Sequence, residues 1–243
     1  MGYDVNVSKL DPDLLLRAYS VGVFPMADSR RANEIFWVEP RKRGILPLDG
    51  LHLSRSLTKT IRSDRFTVTA DKAFAETVRH CAESTKNRPD TWINNEIERA
   101  YGELHRRGHA HSVECWLDDR LVGGLYGVRL GAAFFGESMF SRTRDASKVA
   151  LAWLVARLKV GGFRLLDCQF ITDHLASLGA IEVDRDDYVG LLDAALGVSI
   201  GAAGGFSPSS ADFFALDALP DAAMTVSGPT SGYRIVQLLG QTS

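Results

Sequence analysis

The chain has 243 residues, 45% hydrophobic and 24% charged, which suits one large domain or one domain plus a small one. Its net charge of −2 excludes a global attraction to nucleic acid, so any such binding needs a local patch. Three distant cysteines, Cys81, Cys115 and Cys168, with no C-x-x-C, give no disulfide framework and no cysteine zinc site, and fit a reducing cytoplasm.

Met1-Gly2-Tyr3-Asp4 lacks the basic start and apolar core of a signal peptide, and Asn6 fails the myristoylation pattern. Asp11-Pro12-Asp13 before Leu14-Leu15-Leu16 predicts a capped helix that stops at Gly22. Phe24-Pro25-Met26 is extended, because Pro25 keeps Phe24 out of helix. Residues 27–34 read as loop, and Phe36-Trp37 and Ile45-Leu46 as short strands around a turn over 40–44. Leu57 and Ile61 at helical spacing predict a helix from Ser54 to Ile61. This makes a small N-terminal domain over 1–62 and a main domain over 63–199.

The main domain opens on a β-branched strand, Phe66–Thr69. A helix Ala73–Cys81 with Asp71 as N-cap follows, then a loop over 83–90 and a second helix, Asn94–Arg106, ended by Gly108. His111–Trp116, Leu121–Val128 and Ala132–Met139 alternate as an antiparallel meander. Asp145 is placed to cap a long helix, Ala146–Lys159, which ends at Gly161-Gly162. The apolar run Val149–Val160 inside it is short and broken by Arg157 and Lys159, so no membrane span is expected. A strand Phe163–Gln169, a short helix Thr172–Leu178 and a strand Ile181–Val183 complete the domain. Residues 200–243 are rich in Gly, Ala, Ser and Pro and read as a weakly ordered tail that docks through Ile235–Leu239.

The chemistry concentrates in Phe134-Phe135-Gly136-Glu137-Ser138-Met139. A buried strand does not normally carry a carboxylate, so Glu137 must be paired, hydrogen-bonded or shifted in pKa. Asp167 and Gln169 lie two apart and share one strand face. Two polar-interrupted strands with a helix between them read as one site on a sheet. The order of strand, two helices, meander, long helix and strand is that of an α/β (α+β) acetyltransferase-like (GNAT-like) mixed sheet with flanking helices. Acyl-CoA users carry a glycine-rich anion cradle before the long helix. Here that junction reads Ser141-Arg142-Thr143-Arg144-Asp145, without glycine, which disfavours acyl-CoA. Arg142, Arg144 and Lys148 remain candidates for a phosphate. His105, His109 and His111 give H-x-x-x-H-x-H, but Gly108 breaks the helix between the first two and no acid follows the first histidine. The pattern reads as a helix terminus, and no metal is expected. Trp92, between a polar loop and a helix, suits base stacking, and Leu125, Phe134 and Leu151 can converge from two strands and the long helix.

Taken in order, several stretches resemble the leucyl/phenylalanyl-tRNA–protein transferase family. They are Gly22-Val23-Phe24-Pro25-Met26, Thr91-Trp92-Ile93, Gly108-His109-Ala110-His111-Ser112-Val113-Glu114, Gly136-Glu137-Ser138-Met139-Phe140-Ser141-Arg142, Asp167-Cys168-Gln169 and His174-Leu175-Ala176-Ser177-Leu178-Gly179-Ala180. The resemblance covers about residues 10–190. It implies transfer of Leu or Phe, and Met less well, from aminoacyl-tRNA to the N-terminal Arg or Lys of acceptor proteins, marking them for degradation. It implies no cofactor, and a cytoplasmic monomer is expected. Some members carry Trp where this chain has Met26, and that Trp stacks on the terminal adenine. By the same resemblance Asp167 and Gln169 relay the amine proton, and Glu137, from its own place in the strand, is expected to attract the cationic amine. The alternative shuttle is the ribose hydroxyl of the substrate. Met26, Trp92, Leu125, Phe134 and Leu151 are the expected substrate contacts. Between Arg30 and Arg65, nine bases and four acids give a local charge of 9 − 4 = +5. Arg41, Lys42 and Arg43 are therefore the expected contacts for acceptor-stem phosphates. An acyl-CoA transferase and an idle tRNA-binding module are the competing readings.

Overall fold

The computed structural model describes residues 9–84, 90–197, 211–220 and 230–240. Parts of the expected 83–90 loop and of the 200–243 tail lie outside these residues. Helix α1 (Pro12–Ser20) starts as expected, with the Asp11 carboxylate accepting from the Asp13 N–H and proline in the first turn. Strands β1 (Phe24–Met26) and β2 (Phe36–Val38) pair as a small antiparallel hairpin. Next come β3 (Lys42–Ile45), α2 (Arg55–Arg62) and β4 (Thr67–Ala70). Then follow α3 (Phe74–Cys81), α4 (Asn95–Arg106) and the meander β5 (Ala110–Leu117), β6 (Arg120–Leu130) and β7 (Ala133–Ser141). The chain continues with α5 (Ala146–Val160), β8 (Leu165–Gln169), α6 (Asp173–Ala176), β9 (Ile181–Asp184) and α7 (Arg185–Leu196). Helix α8 (Gly232–Gly240) is the last element.

One seven-stranded sheet runs β4-β5-β6-β7-β8-β3-β9. Among the described residues only β7 and β8 pair in parallel, joined across α5, so the sheet is mixed and flanked by helices, as the order of elements implied. Two expectations change here. The Lys42–Gly44 stretch is not a turn but strand β3, held between β8 and β9. A boundary at Arg62 would therefore cut the sheet, while β1 and β2 form a separate two-stranded sheet. Gly44 is needed in that position, since a Cβ there would lie 2.9 Å from the backbone of Phe170 and Ile171.

Each face of the sheet covers one apolar core. One holds Tyr19, Phe74, Ile97, Tyr101, Tyr126, Phe135 and Tyr188, under α1, α3, α4 and α7. The other holds Leu57, Val113, Phe134, Leu151, Leu154, Leu166, Phe213 and Ile235, around α5. Helix α5 is apolar on every side and almost wholly buried, because the sheet, α2, α8 and residues 211–220 enclose it. The tail therefore docks through Ile235 and Leu239, and also through Phe213 and Leu216. The expected side-chain caps at α3 and α5 are absent: Ala73, not Asp71, precedes α3, and Asp145 stands at the N-cap of α5 with its carbonyl on the Val149 N–H but no bond from its carboxylate; both aspartates adopt positive φ. Asp71 instead bonds the Ser112 N–H and His111 Nδ1, both at 2.7 Å.

Candidate active site

Strands β7 and β8 pair at Ala133–Leu165, Phe134–Leu166 and Phe135–Asp167, and no further. Beyond that point each strand carries one extra residue. On β7, Gly136 and Ser138 face consecutive residues of β6, which leaves Glu137 as the bulge. On β8, Asp167 and Gln169 face consecutive residues of β3, which leaves Cys168 as the bulge. Bulges re-aim side chains and end ladders. Here they coincide with a cavity of about 280 Å³ at the split. Its apolar wall is Leu125, Met139, Leu151, Leu154, Leu166 and Leu175. Trp92, Tyr126, Phe170 and His174 also line it, and Glu137, Ser138 and Gln169 supply the polar part.

Glu137 is 7% exposed and accepts three side-chain hydrogen bonds. Tyr19 donates at 2.6 Å, Tyr101 at 2.9 Å, and Gln169 Nε2 at 2.9 Å. The two phenol oxygens are themselves 2.5 Å apart. Burial pushes the Glu137 carboxyl up to about 7 against the pull of its three donors. Gln169 reaches Glu137 from a strained backbone, with φ of +62° on a non-glycine residue. That conformation is held by the Gln169 N–H donating to Asp167 Oδ1 at 2.7 Å.

Asp167 lies behind the cavity and does not line it. It is fully buried, and Arg43 grips it with Nε at 2.9 and 3.0 Å and Nη2 at 2.6 Å. The Tyr188 hydroxyl adds a bond at 2.8 Å. Arg43 in turn donates to the Gly22 carbonyl at 2.8 Å and sits between the rings of Phe24 and Tyr188, 4.7 and 4.6 Å from their centroids. Such a pair needs this many bonds to offset its desolvation. Arg43 is 1% exposed, so it meets no phosphate at the surface, and that expectation is corrected. Phe134 is likewise not a lining residue: it sits two residues before Gly136, and Phe213 fills the space against it.

The other expected residues scatter. Trp92, Leu125 and Leu151 line the cavity. Met26 does not line it, although the next residue, Ala27, donates its N–H to the Trp92 carbonyl at 3.1 Å. Arg41 is exposed, and Lys42 pairs with Glu182 at 3.1 Å. Arg142 pairs with Glu83 at 2.6 Å, and Arg144 with Asp145 at 3.7 Å. Lys148 lies close enough to His174 that, with burial acting first, it lowers the histidine's pKa. Of the histidines of H-x-x-x-H-x-H, His105 stacks on Phe74 and comes within 4.0 Å of Asp71, the carboxylate with which His111 pairs at 2.7 Å. Tyr19, Tyr101, Arg43 and Tyr188 are site residues that spacing could not single out. Tyr19 and Tyr101 each sit at a helical core position, where a phenol reads as packing.

A family model described as leucyl/phenylalanyl-tRNA protein transferase matches residues 45–193. One described as its N-terminal domain matches residues 8–41. Between the two lie residues 42–44, most of β3. Residues 211–240 lie beyond both. A curated relative from Rhizorhabdus wittichii, named leucyl/phenylalanyl-tRNA–protein transferase, is 72% identical over 96% of this chain and 99% of its own length. Relatives of the same name from Zymomonas mobilis and Afipia carboxidovorans are 68% and 54% identical. They match 77% and 88% of this chain, and 70% and 90% of their own lengths.

Proposed function

The chain belongs to the leucyl/phenylalanyl-tRNA–protein transferase family, and on that premise we propose that it moves leucine or phenylalanine, and methionine less well, from aminoacyl-tRNA to an N-terminal Arg or Lys. The acceptor protein would thereby be marked for degradation. The observation that carries this reading is an apolar cavity of about 280 Å³ ending on Glu137 and Gln169. Its size and lining suit one Leu, Phe or Met side chain. Its polar end suits an amine meeting a carbonyl.

The aminoacyl ester is already activated, so the site must place the amine, take a proton and hold the oxyanion. Glu137 faces the cavity and titrates near neutral pH, so it can take a proton from the acceptor ammonium. The free amine then attacks the ester carbonyl. The C–O bond to the ribose breaks, the nitrogen gives up one proton to become the amide, and the ribose oxygen leaves as a hydroxyl with that proton. Gln169 has one N–H on Glu137 and a second available for the oxyanion. Asp167 acts through Gln169 and Arg43 as a positioning residue, because it does not line the cavity and Arg43, Tyr188 and the Gln169 N–H hold its oxygens. The ribose hydroxyl can still serve as the shuttle for the leaving oxygen.

Arg41, Lys42, Arg142, Arg144 and Lys148 remain the proposed phosphate contacts. To them the exposed side of α2 adds Arg55, Lys59 and Arg62 along one groove. This patch supports acceptor-stem binding without base readout. All proposed roles fall on one chain, so a monomer suffices, and charged tRNA places the reaction in the cytoplasm. Among the described residues, no helix is long and apolar enough to cross a membrane. Incubation with Leu-tRNA or Phe-tRNA and an Arg-initiated peptide tests the reading, with acetyl-CoA run in parallel. A peptide extended by one Leu or Phe is expected. Acetylated peptide, or tRNA bound with no transfer, would overturn it.

A further inference from the structure

We propose that residues 211–220 form a strap that sets the width of the side-chain cavity and so the preference between leucine and phenylalanine. The inference rests on the reading that this cavity takes the donor side chain. Phe213 is fully buried between two elements of the sheet. Its ring stacks on Phe134 of β7 at 5.7 Å and on His111 of β5 at 4.3 Å. Arg157 of α5 lies over the same ring at 5.5 Å and donates to Asp217 through Nη1 at 2.7 Å and Nη2 at 2.6 Å. The Asp212 N–H bonds the Gly161 carbonyl at 2.9 Å, and a Cβ on Gly161 would lie 2.1 Å from the Asp212 carbonyl oxygen. The strap thus fits only a glycine at the end of α5.

The elements it holds are those that wall the cavity. Helix α5 supplies Leu151 and Leu154, and β7 supplies Gly136, Ser138 and Met139. Phe134 is the contact between strap and wall: it lies on the same strand face as Gly136, and its ring covers Gly127 so closely that a Cβ there would be 2.4 Å away. Interiors packed at this density transmit displacement, so a smaller side chain at 213 lets α5 and β7 shift toward the void. Arg157 is a buried charge whose carboxylate partner comes from the strap alone among the described residues. With the Asp212–Gly161 backbone bond, this pair ties that end of α5 to 211–220.

The test uses the full chain with Phe213→Leu and, separately, Asp217→Asn. The ratio of kcat/KM for Phe-tRNA to that for Leu-tRNA is measured with one Arg-initiated peptide. A ratio shifted by about 5-fold or more in both variants is expected, a part of what one methylene is worth in a pocket. Affinity for deacylated tRNA should stay within about 2-fold, because the strap touches no proposed phosphate contact. Val78→Ala, in the opposite core, serves as a destabilised control and should leave the ratio alone. An unchanged ratio in both strap variants, or an equal shift in the control, overturns the proposal. Leu151→Trp separates the two levels. If it blocks Phe transfer while the strap variants leave the ratio unchanged, the strap proposal alone fails. If it changes neither donor, the cavity reading itself fails.

Discussion

Arg43→Lys separates a buried clamp from a surface phosphate contact. Arg43 spends Nε and Nη2 on Asp167 and Nη1 on the Gly22 carbonyl, and its plane lies between two aromatic rings. A lysine keeps the charge but offers a point donor with no fork and no stacking plane. Removing one partner of a buried pair outright costs about 3–5 kcal/mol, so the charge-conserving change should cost roughly half of that. Urea unfolding should show it as a lower midpoint with an unchanged m-value. The backbone of Gln169 should loosen as well, since Asp167 holds its N–H. Transfer should then fall while tRNA affinity holds. The decisive assay is the slope of log K against log salt for tRNA binding. One lost phosphate contact flattens that slope by about 0.7–0.9, and Arg43→Met, which removes the charge, should leave it unchanged. A flattened slope in Arg43→Met with normal stability would refute the clamp and return Arg43 to the RNA path. Arg55, Lys59 and Arg62, neutralised together, should flatten the slope without lowering stability.

Further outcomes follow from the Glu137 network. Burial raises the Glu137 carboxyl from 4.5 to about 7, so the folded chain holds a proton there that the unfolded chain has released. That contribution is fully present below about pH 4.5 and is lost as pH rises through 7. Glu137→Gln should therefore match the wild type in stability near pH 4 and exceed it near pH 8 by roughly 2–3 kcal/mol, measured by urea unfolding. Tyr19→Phe or Tyr101→Phe removes a donor to the carboxylate, and kcat/KM against pH should show its acid limb moving to higher pH. Gly44→Ala pushes on the Phe170–Ile171 backbone and should cost about 1–3 kcal/mol along with transfer activity, read by thermal unfolding and peptide assay.

Much of the architecture is visible in the residues themselves. Alternation in β5, β6 and β7 and the apolar length of α5 mark the meander and the central helix before any coordinates. Glu137 in an apolar strand marks the site. What spacing does not carry is tertiary pairing. Lys42-Arg43-Gly44 has a turn's composition and becomes a strand only because β8 and β9, more than a hundred residues on, close over it. The two bulges at Glu137 and Cys168 are equally silent, since an extra residue looks like any other until a partner strand is laid beside it. The same holds for Asp167. An acid two residues from an amide reads as half of a relay, and only the approach of Arg43 and Tyr188 shows that its oxygens are taken. Helix α7 shows Tyr188, Leu192 and Ala195 at helical spacing, but Gly190 and a run of aspartates mask the pattern.

The central claim is that transfer happens where Glu137 and Gln169 meet the apolar cavity. The most direct measurement is single-turnover transfer from a phenylalanyl-adenosine analogue to an Arg-initiated peptide, using Gln169→Ala and Glu137→Gln. This donor lacks the acceptor stem, so the basic surface drops out of the readout. The account predicts a loss on the order of 10² to 10⁴-fold in rate for each variant, with analogue affinity close to that of the wild type. Near-wild-type rates in both variants, with the fold intact, would contradict it and leave the substrate's own ribose hydroxyl as the proton carrier.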